Sequence, residues 1–463
     1  MSESLFSRYK TYYKENLILA GPIVVSQIGH MATHIADSVI VGQFAGTTQL
    51  AAVSLVNSLF MLVLVIGLGI SYGLTPLIAQ ASGRKDKDEC GKLLSNSLII
   101  NTITGFLLYA LIHWGTLSVI DHLGQSAAVV QHAKPYLGLL ALSIVPLMIF
   151  QTFKQFAEGL GFTMQAMRIS IIGNILNIVL GIIFVKGMFG IAPMGVKGVG
   201  FSTLIDRILM ATVMGFYVLR SAHFKSYLVK FKLSFLDKMR SLQIIKIGAP
   251  VAMQYIFEIS AFSGAAVIIG TIGTAEQAAH QIAISLAALT YMVASGIASS
   301  ATIKTGNYLG EKSFTDLRRS AIASYHVVLL FMICTALLFM FGSGLLPYFY
   351  TQDHHVVGIA AQLLIIAGFF QLFDGTQVVG LGVLRGIGDV NIPTFITFLS
   401  YWIIGIPLGY FLGIYLGMGV NGIWYGLTFG LLTASVLLFF RFQQKTRLLI
   451  TTNLPSPIKE GNA

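Results

Sequence analysis

Residues 69–85 read GISYGLTPLIAQASGRK, and residues 296–312 read GIASSATIKTGNYLGEK. The two segments align without a gap. Gly69 meets Gly296, Gly83 meets Gly310 and Lys85 meets Lys312, at an offset of 227 residues. Each is an apolar run that closes on a glycine and a charged turn, as a helix does on leaving a bilayer. Further correspondences follow in the same order: Gly21-Pro22 with Ala249-Pro250, FQTF from Phe150 with FQLF from Phe370, and MGVKG from Met194 with MGVNG from Met418. The chain therefore reads as two copies of one plan, the layout of a duplicated membrane transporter.

Composition sets the solvent. The chain has 463 residues, 55% hydrophobic and 10% charged, with a mean hydropathy of +0.80. A soluble domain carries roughly 25% charged residues, so this chain is read as an integral membrane protein. The long uniform apolar runs and abundant glycine predict helices rather than a barrel of short alternating strands. At about 20 residues per crossing, twelve spans are expected. Their limits fall near 17–43, 49–80, 93–119, 132–157, 166–188, 196–219, 244–271, 276–303, 318–346, 356–382, 392–414 and 419–440. The expected organisation is an N-terminal six-helix lobe over 1–219, a cytoplasmic linker over 220–243, a C-terminal six-helix lobe over 244–441 and a cytoplasmic tail over 442–463. Six spans per repeat give the two pseudo-symmetric bundles the same orientation, related by an axis along the membrane normal.

The net charge of +11 raises nucleic acid as a partner, and the placement of the charge argues against it. Arg84, Lys85, Lys87 and Lys92 share a side with Lys225, Lys230, Lys232, Lys238 and Arg240, with Lys312, Arg318 and Arg319, and with Arg441, Lys445 and Arg447. Lys134, Lys186 and Lys197 fall on the other side. This positive-inside pattern predicts cytoplasmic termini. The polar start MSESLFSRYKTYYKEN lacks the layout of a signal peptide, so the first apolar run is expected to be kept as a span. Two cysteines, Cys90 and Cys334, offer neither a disulfide framework nor a metal cluster.

Ionisable residues inside spans are costly and mark function. Asp37 lies in span one, Glu258 in span seven and Asp374 in span ten, and the pair Asp206-Arg207 lies in span six. Two carboxylates close together in a low dielectric cannot both ionise cheaply, so Glu258 and Asp374 are candidates to take up a proton or a metal cation. The alternative is a structural hydrogen bond to a neighbouring helix. Asp37 invites the same argument, with Pro22 four turns earlier able to bend its helix. Asp206-Arg207 reads as a self-neutralising pair with a structural or gating role. His30, His34 and Asp37 share one helix face and could ligate a transition metal, yet no second helix offers a matching cluster. GISYG fits the G-x-S-x-G elbow but lies in an apolar helix rather than a strand-turn-helix. No zinc-protease motif or P-loop is present, so an enzyme is not expected.

The residues resemble the multidrug and toxic compound extrusion family, in particular its NorM-type branch. The resemblance covers nearly the whole chain and includes the span ends Gln80-Ala81-Ser82-Gly83 and Asn307-Tyr308-Leu309-Gly310, EGLG at Glu158, RGIGD at Arg385, and one acid in each of spans one, seven and ten. It implies a cation-coupled antiporter that exports lipophilic, often cationic compounds by rocking of two lobes. Glu258 and Asp374 would form the C-lobe cation site. Asp37, with Asn177 and Thr203, would form the N-lobe cation or proton site. Two departures stand out: Gly181 where the family often has Asn or Asp, and Phe370 where some members have Tyr. Both remove oxygen atoms and leave the coupling ion open between sodium and proton. No resident cofactor is implied. The expected setting is a monomer in a bacterial inner membrane, with drug-like organic cations as partners. Two rival functions are a flippase for lipid-linked precursors, whose anionic cargo calls for a basic cavity, and a metal-ion transporter built on His30, His34 and Asp37.

Overall fold

Long apolar runs must satisfy every backbone N–H and C=O internally once water is excluded, and helices do this within one segment. A computed structural model of the chain describes residues 5–233 and 236–452. It contains twelve helical segments long and apolar enough to cross a bilayer: α1 (Ser7–Phe44), α2 (Thr47–Gly83), α3 (Lys87–His122), α4 (Ala127–Gly159), α5 (Thr163–Lys186), α6 (Val196–Arg220), α7 (Lys238–Gly270), α8 (Thr274–Gly310), α9 (Phe314–Phe341), α10 (His354–Ile387), α11 (Asn391–Tyr415) and α12 (Gly419–Thr452). Among the described residues there is no strand.

Most of the helices outrun the lengths expected from hydropathy, and three of the extensions have identifiable causes. α1 starts ten residues before the expected limit because its polar residues find partners: Tyr9 is buried, the Tyr12 hydroxyl donates to Asp316 at 2.6 Å, and Asn16 donates to the Ser320 carbonyl at 3.0 Å. α7 begins at Lys238, inside the stretch read as linker. Asp237 caps it there, accepting from the Met239 and Arg240 N–H groups at 2.7 and 3.2 Å. α12 continues through Phe442 and Thr446, both buried, to Thr452. Residues 453–463 of the expected tail lie outside the described residues, as do residues 1–4, 234 and 235. The linker is anchored near its start. Phe224 is fully buried among the rings of Phe156, Phe162 and Tyr217.

The duplication is visible in backbone and packing. Lys85 and Lys312 both turn into the left-handed region, at φ 59° and 60°. The residue after each donates back into its own helix at 2.9 Å, Asp86 to Ala81 and Ser313 to Tyr308. Within the first six helices α4 packs on α6, α5 on α6, α1 on α5, α2 on α4 and α3 on α4; each pairing has its counterpart six helices later. Between the lobes α2 meets α7 as α8 meets α1, and α3 meets α7 as α9 meets α1. The two lobes are thus related by an approximate two-fold. One expected correspondence shifts. α4 and α10 begin at Ala127 and His354, an offset of 227, whereas FQTF and FQLF are offset by 220. These motifs occupy the same pair of helices two turns apart, so Phe370 is not the positional equivalent of Phe150.

Close approach along the seam needs glycine. A Cβ on Gly83 would sit 2.1 Å from the Asn307 carbonyl oxygen, and one on Gly310 would sit 2.2 Å from that of Gln80. The polar bonds that join the lobes gather in the half next to the basic loops. Arg240 holds Glu89 through two bonds of 2.9 and 2.8 Å, Lys304 reaches Glu15 at 2.7 Å, and Gln80 donates to the Gly386 carbonyl at 2.9 Å.

Candidate functional site

The two lobes pack their interiors differently. The first has one continuous apolar core running from Ile40 and Val53 through Ile144 to Phe224. The second is cut in two. One cluster surrounds Tyr401, Trp424 and Phe370, and the other surrounds Val328, Leu384 and Leu438. Besides these clusters the lobe buries Glu258 on α7, Thr290 on α8, Thr335 on α9, Gln371, Asp374 and Gln377 on α10, and Ser435 on α12. Burying this many polar groups costs stability unless they are bonded, so this group stands out from ordinary core.

Glu258 and Asp374 retain 7% and 4% of their surface, so neither faces lipid. Each lies within range of the other's charge. Glu258 lines a small cavity of about 20 Å³ with Gln254, Tyr291, Ser295, Gly382 and Arg385, room for a water or a desolvated cation. The Tyr401 hydroxyl donates to Gln377 Oε1 at 3.0 Å, and Thr335 donates to Gln371 Oε1 at 3.2 Å. Both glutamines therefore keep a buried amide nitrogen without a protein partner. Tyr291 and Tyr401 feel the charge of both acids. Phe370 stands apart in an aromatic cluster, 6.0 Å from the Phe262 ring and 5.5 Å from the Trp424 ring. The hydroxyls that feel both acids thus belong to tyrosines on α8 and α11, which no sequence signal separates from packing aromatics.

In the first lobe Asp37 is buried at 5%, with Oδ1 free of protein partners. Asn177 donates to Thr203 Oγ1 at 3.3 Å, and Asn177 Oδ1 is likewise without a partner. A Cβ on Gly181 would be in ordinary contact with Ile40 and Ser202, 3.6 Å from each. Arg207 bonds Ser143 at 2.7 Å, stacks over Phe60 at 5.3 Å and acts on Asp37, as does Asp206. Asp206 itself packs against Gly173. The pair, expected from sequence to be structural or gating, belongs to the neighbourhood of Asp37. His30 and His34 also lie in the field of Arg207, a poor setting for a metal cation. Pro22 is buried, and its helix passes through it unbroken.

Two charged side chains were given no site role by the sequence reading, in which Arg385 figures only as the start of the RGIGD motif. Lys154 is buried at the basic end of α4, 3.8 Å from Glu158. Arg385 lies eleven residues beyond Asp374, three turns along the same face of α10, and lines the Glu258 cavity. The i, i+4, i+7, i+11 stripe Asp374, Val378, Leu381, Arg385 was the available signal.

Comparison with known proteins adds the following. The model of the MatE family matches residues 22–183 and again 250–411, one match per repeat, each beginning at the equivalent prolines Pro22 and Pro250. A probable multidrug resistance protein NorM of Agrobacterium fabrum (strain C58) is 30% identical over 437 residues, covering 93% of this chain and 94% of that protein. The protein of the same description from Xanthomonas axonopodis pv. citri (strain 306) is 32% identical over 446 residues, covering 95% of each. The eukaryotic MATE transporter AtDTX14 superimposes with a TM-score of 0.86 at 18% identity, over 96% of this chain and 100% of that one. A MATE structure in complex with MaL6 does so at 0.88 and 20% identity, over 95% and 97%.

Proposed function

The chain belongs to the MatE family, and from that premise we propose that it is a cation-coupled multidrug efflux antiporter of the bacterial inner membrane. It exports lipophilic, often cationic compounds by alternating access of a central space between two rocking lobes, with both termini in the cytoplasm. The observation that carries this reading is the buried polar group of the second lobe, in which Glu258 and Asp374 lie within range of each other's charge. Carboxylates inside a span are retained where a mobile cation compensates them. Each charge that moves inward down the membrane potential supplies about 2.3 kcal/mol per 100 mV. A drug cation and a coupling ion cannot both be held comfortably by the same negative site, and that competition links the two fluxes. Asp37, Asn177 and Thr203 supply a second acid-centred group in the first lobe.

The flippase alternative calls for a basic cavity, whereas this group is acidic. The metal-ion alternative needs His30, His34 and Asp37 to accept a cation beside Arg207. The test is ethidium efflux from everted vesicles, with a sodium gradient and a pH gradient imposed separately. Glu258→Gln and Asp374→Asn are each expected to abolish coupled efflux at normal expression. Full drug resistance in both variants would refute the assignment. Metal tolerance altered by His30→Ala, with ethidium efflux intact, would favour the metal-ion reading.

A further inference from the structure

Arg385 faces two ways. Its guanidinium lies in the wall of the Glu258 cavity, inside the second lobe. It also lies over the ring of Tyr72 on α2, 5.8 Å from the centroid, so it reaches across the seam to the first lobe. Arg385 is half-buried, and its Nε is a buried donor without a hydrogen-bond partner, although buried donors are normally satisfied. Tyr72 in turn meets Tyr255 at 5.9 Å, one turn from Glu258 on α7. The charged and titratable groups around this guanidinium are Glu258 and Tyr291 on its own side, and Tyr72, Tyr255 and, acting on Tyr72, Glu158 on the seam.

We infer that Arg385 is a tethered cation that couples occupancy of the Glu258–Asp374 site to closure of the seam on the basic side. While α2 and α10 are together, the Tyr72 ring holds the guanidinium by a cation–π contact, and the carboxylates are open to a mobile cation. When the lobes part on the basic side, the ring is withdrawn. The guanidinium then turns to Glu258 and competes the cation off towards that side. One arginine thus serves two partners alternately, which gives the differential contact that any coupling between site and conformation requires. Arg385 acts here as a positioning residue for ion release; it rests on the reading of Glu258 and Asp374 as the cation site.

The test uses the full chain in proteoliposomes. Ethidium efflux is measured against sodium concentration at fixed pH, and against pH at fixed sodium. Arg385→Gln removes the competitor, so the half-saturating concentration of the driving ion should fall about five- to tenfold, the lower range of allosteric coupling, with a lower maximal rate because release slows. Arg385→Lys keeps the charge and should stay near wild type in half-saturation. Tyr72→Leu frees the guanidinium and should raise the half-saturating concentration, whereas Tyr72→Phe keeps the ring and should not. Half-saturation in Arg385→Gln within about twofold of wild type, below the coupling range, overturns the inference, as does an equal fall in Arg385→Lys. If Arg385→Gln does not fold, the tyrosine pair decides, and identical behaviour of Tyr72→Leu and Tyr72→Phe overturns it. Glu258→Gln separates the two levels. If that variant transports normally, the cation site itself is misassigned. If it is inactive and the Arg385 and Tyr72 variants shift nothing, only the role of Arg385 fails.

Discussion

Lys154 shows what a single residue contributes inside a bilayer. Its ammonium is buried beside Glu158 at 3.8 Å, an i,i+4 pair with side chains only 5% exposed. Removing one member leaves the other charge uncompensated in a medium of low dielectric, at a cost of about 3–5 kcal/mol. Lys154→Met should therefore lower the thermal unfolding temperature in detergent markedly, and the double variant Lys154→Met/Glu158→Met should recover most of the loss. Equal melting of the single and double variants would show that the pair is already satisfied by other groups. The acids Glu258, Asp374 and Asp37 were legible in the sequence, since a carboxylate in an apolar run announces itself. Lys154 was not, because it lies near the end of its span, where a long side chain ordinarily reaches the interface.

Helix against helix, the seam depends on absent side chains. Gly83 and Gly310 lie at equivalent places, and a Cβ on either would press into a backbone carbonyl of the facing helix. Backbone cannot give way as a flexible side chain can, so Gly83→Ala and Gly310→Ala should each destabilise the protein or spread α2 from α8. Gly21 meets nothing within 4 Å. Gly21→Ala should be neutral or stabilise by up to roughly 1 kcal/mol through helix propensity. Thermal melts of the three variants test the contrast. The start of α7 carries a pH signature. The Arg240 and Met239 N–H groups hold the half-buried Asp237 carboxylate below its usual range. Its capping contribution is complete above about pH 4, the ordinary carboxylate value, and fades as the pH falls through the depressed folded value. Asp237→Ala should thus lower the melting temperature at pH 7 and converge with wild type in acid. Helix existence followed from hydropathy; the starts of α1 and α7 did not, because the polar first turn of α1 is fixed by partners about 300 residues away and that of α7 by the Asp237 cap and the remote Glu89.

At the scale of the molecule, two matching latches close the basic half. Tyr12 bonds Asp316 and Arg240 bonds Glu89, and the approximate two-fold exchanges one for the other. A rocking transporter must break both. With Cys90 and Cys334 replaced by Ser, Tyr12→Cys/Asp316→Cys joined by a short thiol-specific cross-linker should arrest efflux, whereas either single variant treated alike should not. Continued transport by the joined pair would exclude opening at this seam. High salt should weaken the Arg240–Glu89 latch more than the phenolic one, because ionic screening acts on paired charges.

The sequence by itself determined that the chain is all-helical, spans the membrane twelve times, repeats once and carries an acid in each of three spans. These are local properties: a bilayer forces each apolar run into a helix, and the repeat survives as matched glycines and turns. The tertiary structure alone decided that Glu258, Asp374, Gln371 and Gln377 are buried together in the second lobe, that Arg207 acts on Asp37, and that Arg385 spans the seam to Tyr72. Such convergence depends on how helices rotate and pack against partners far along the chain, and periodicity within one helix carries no record of which face meets which neighbour.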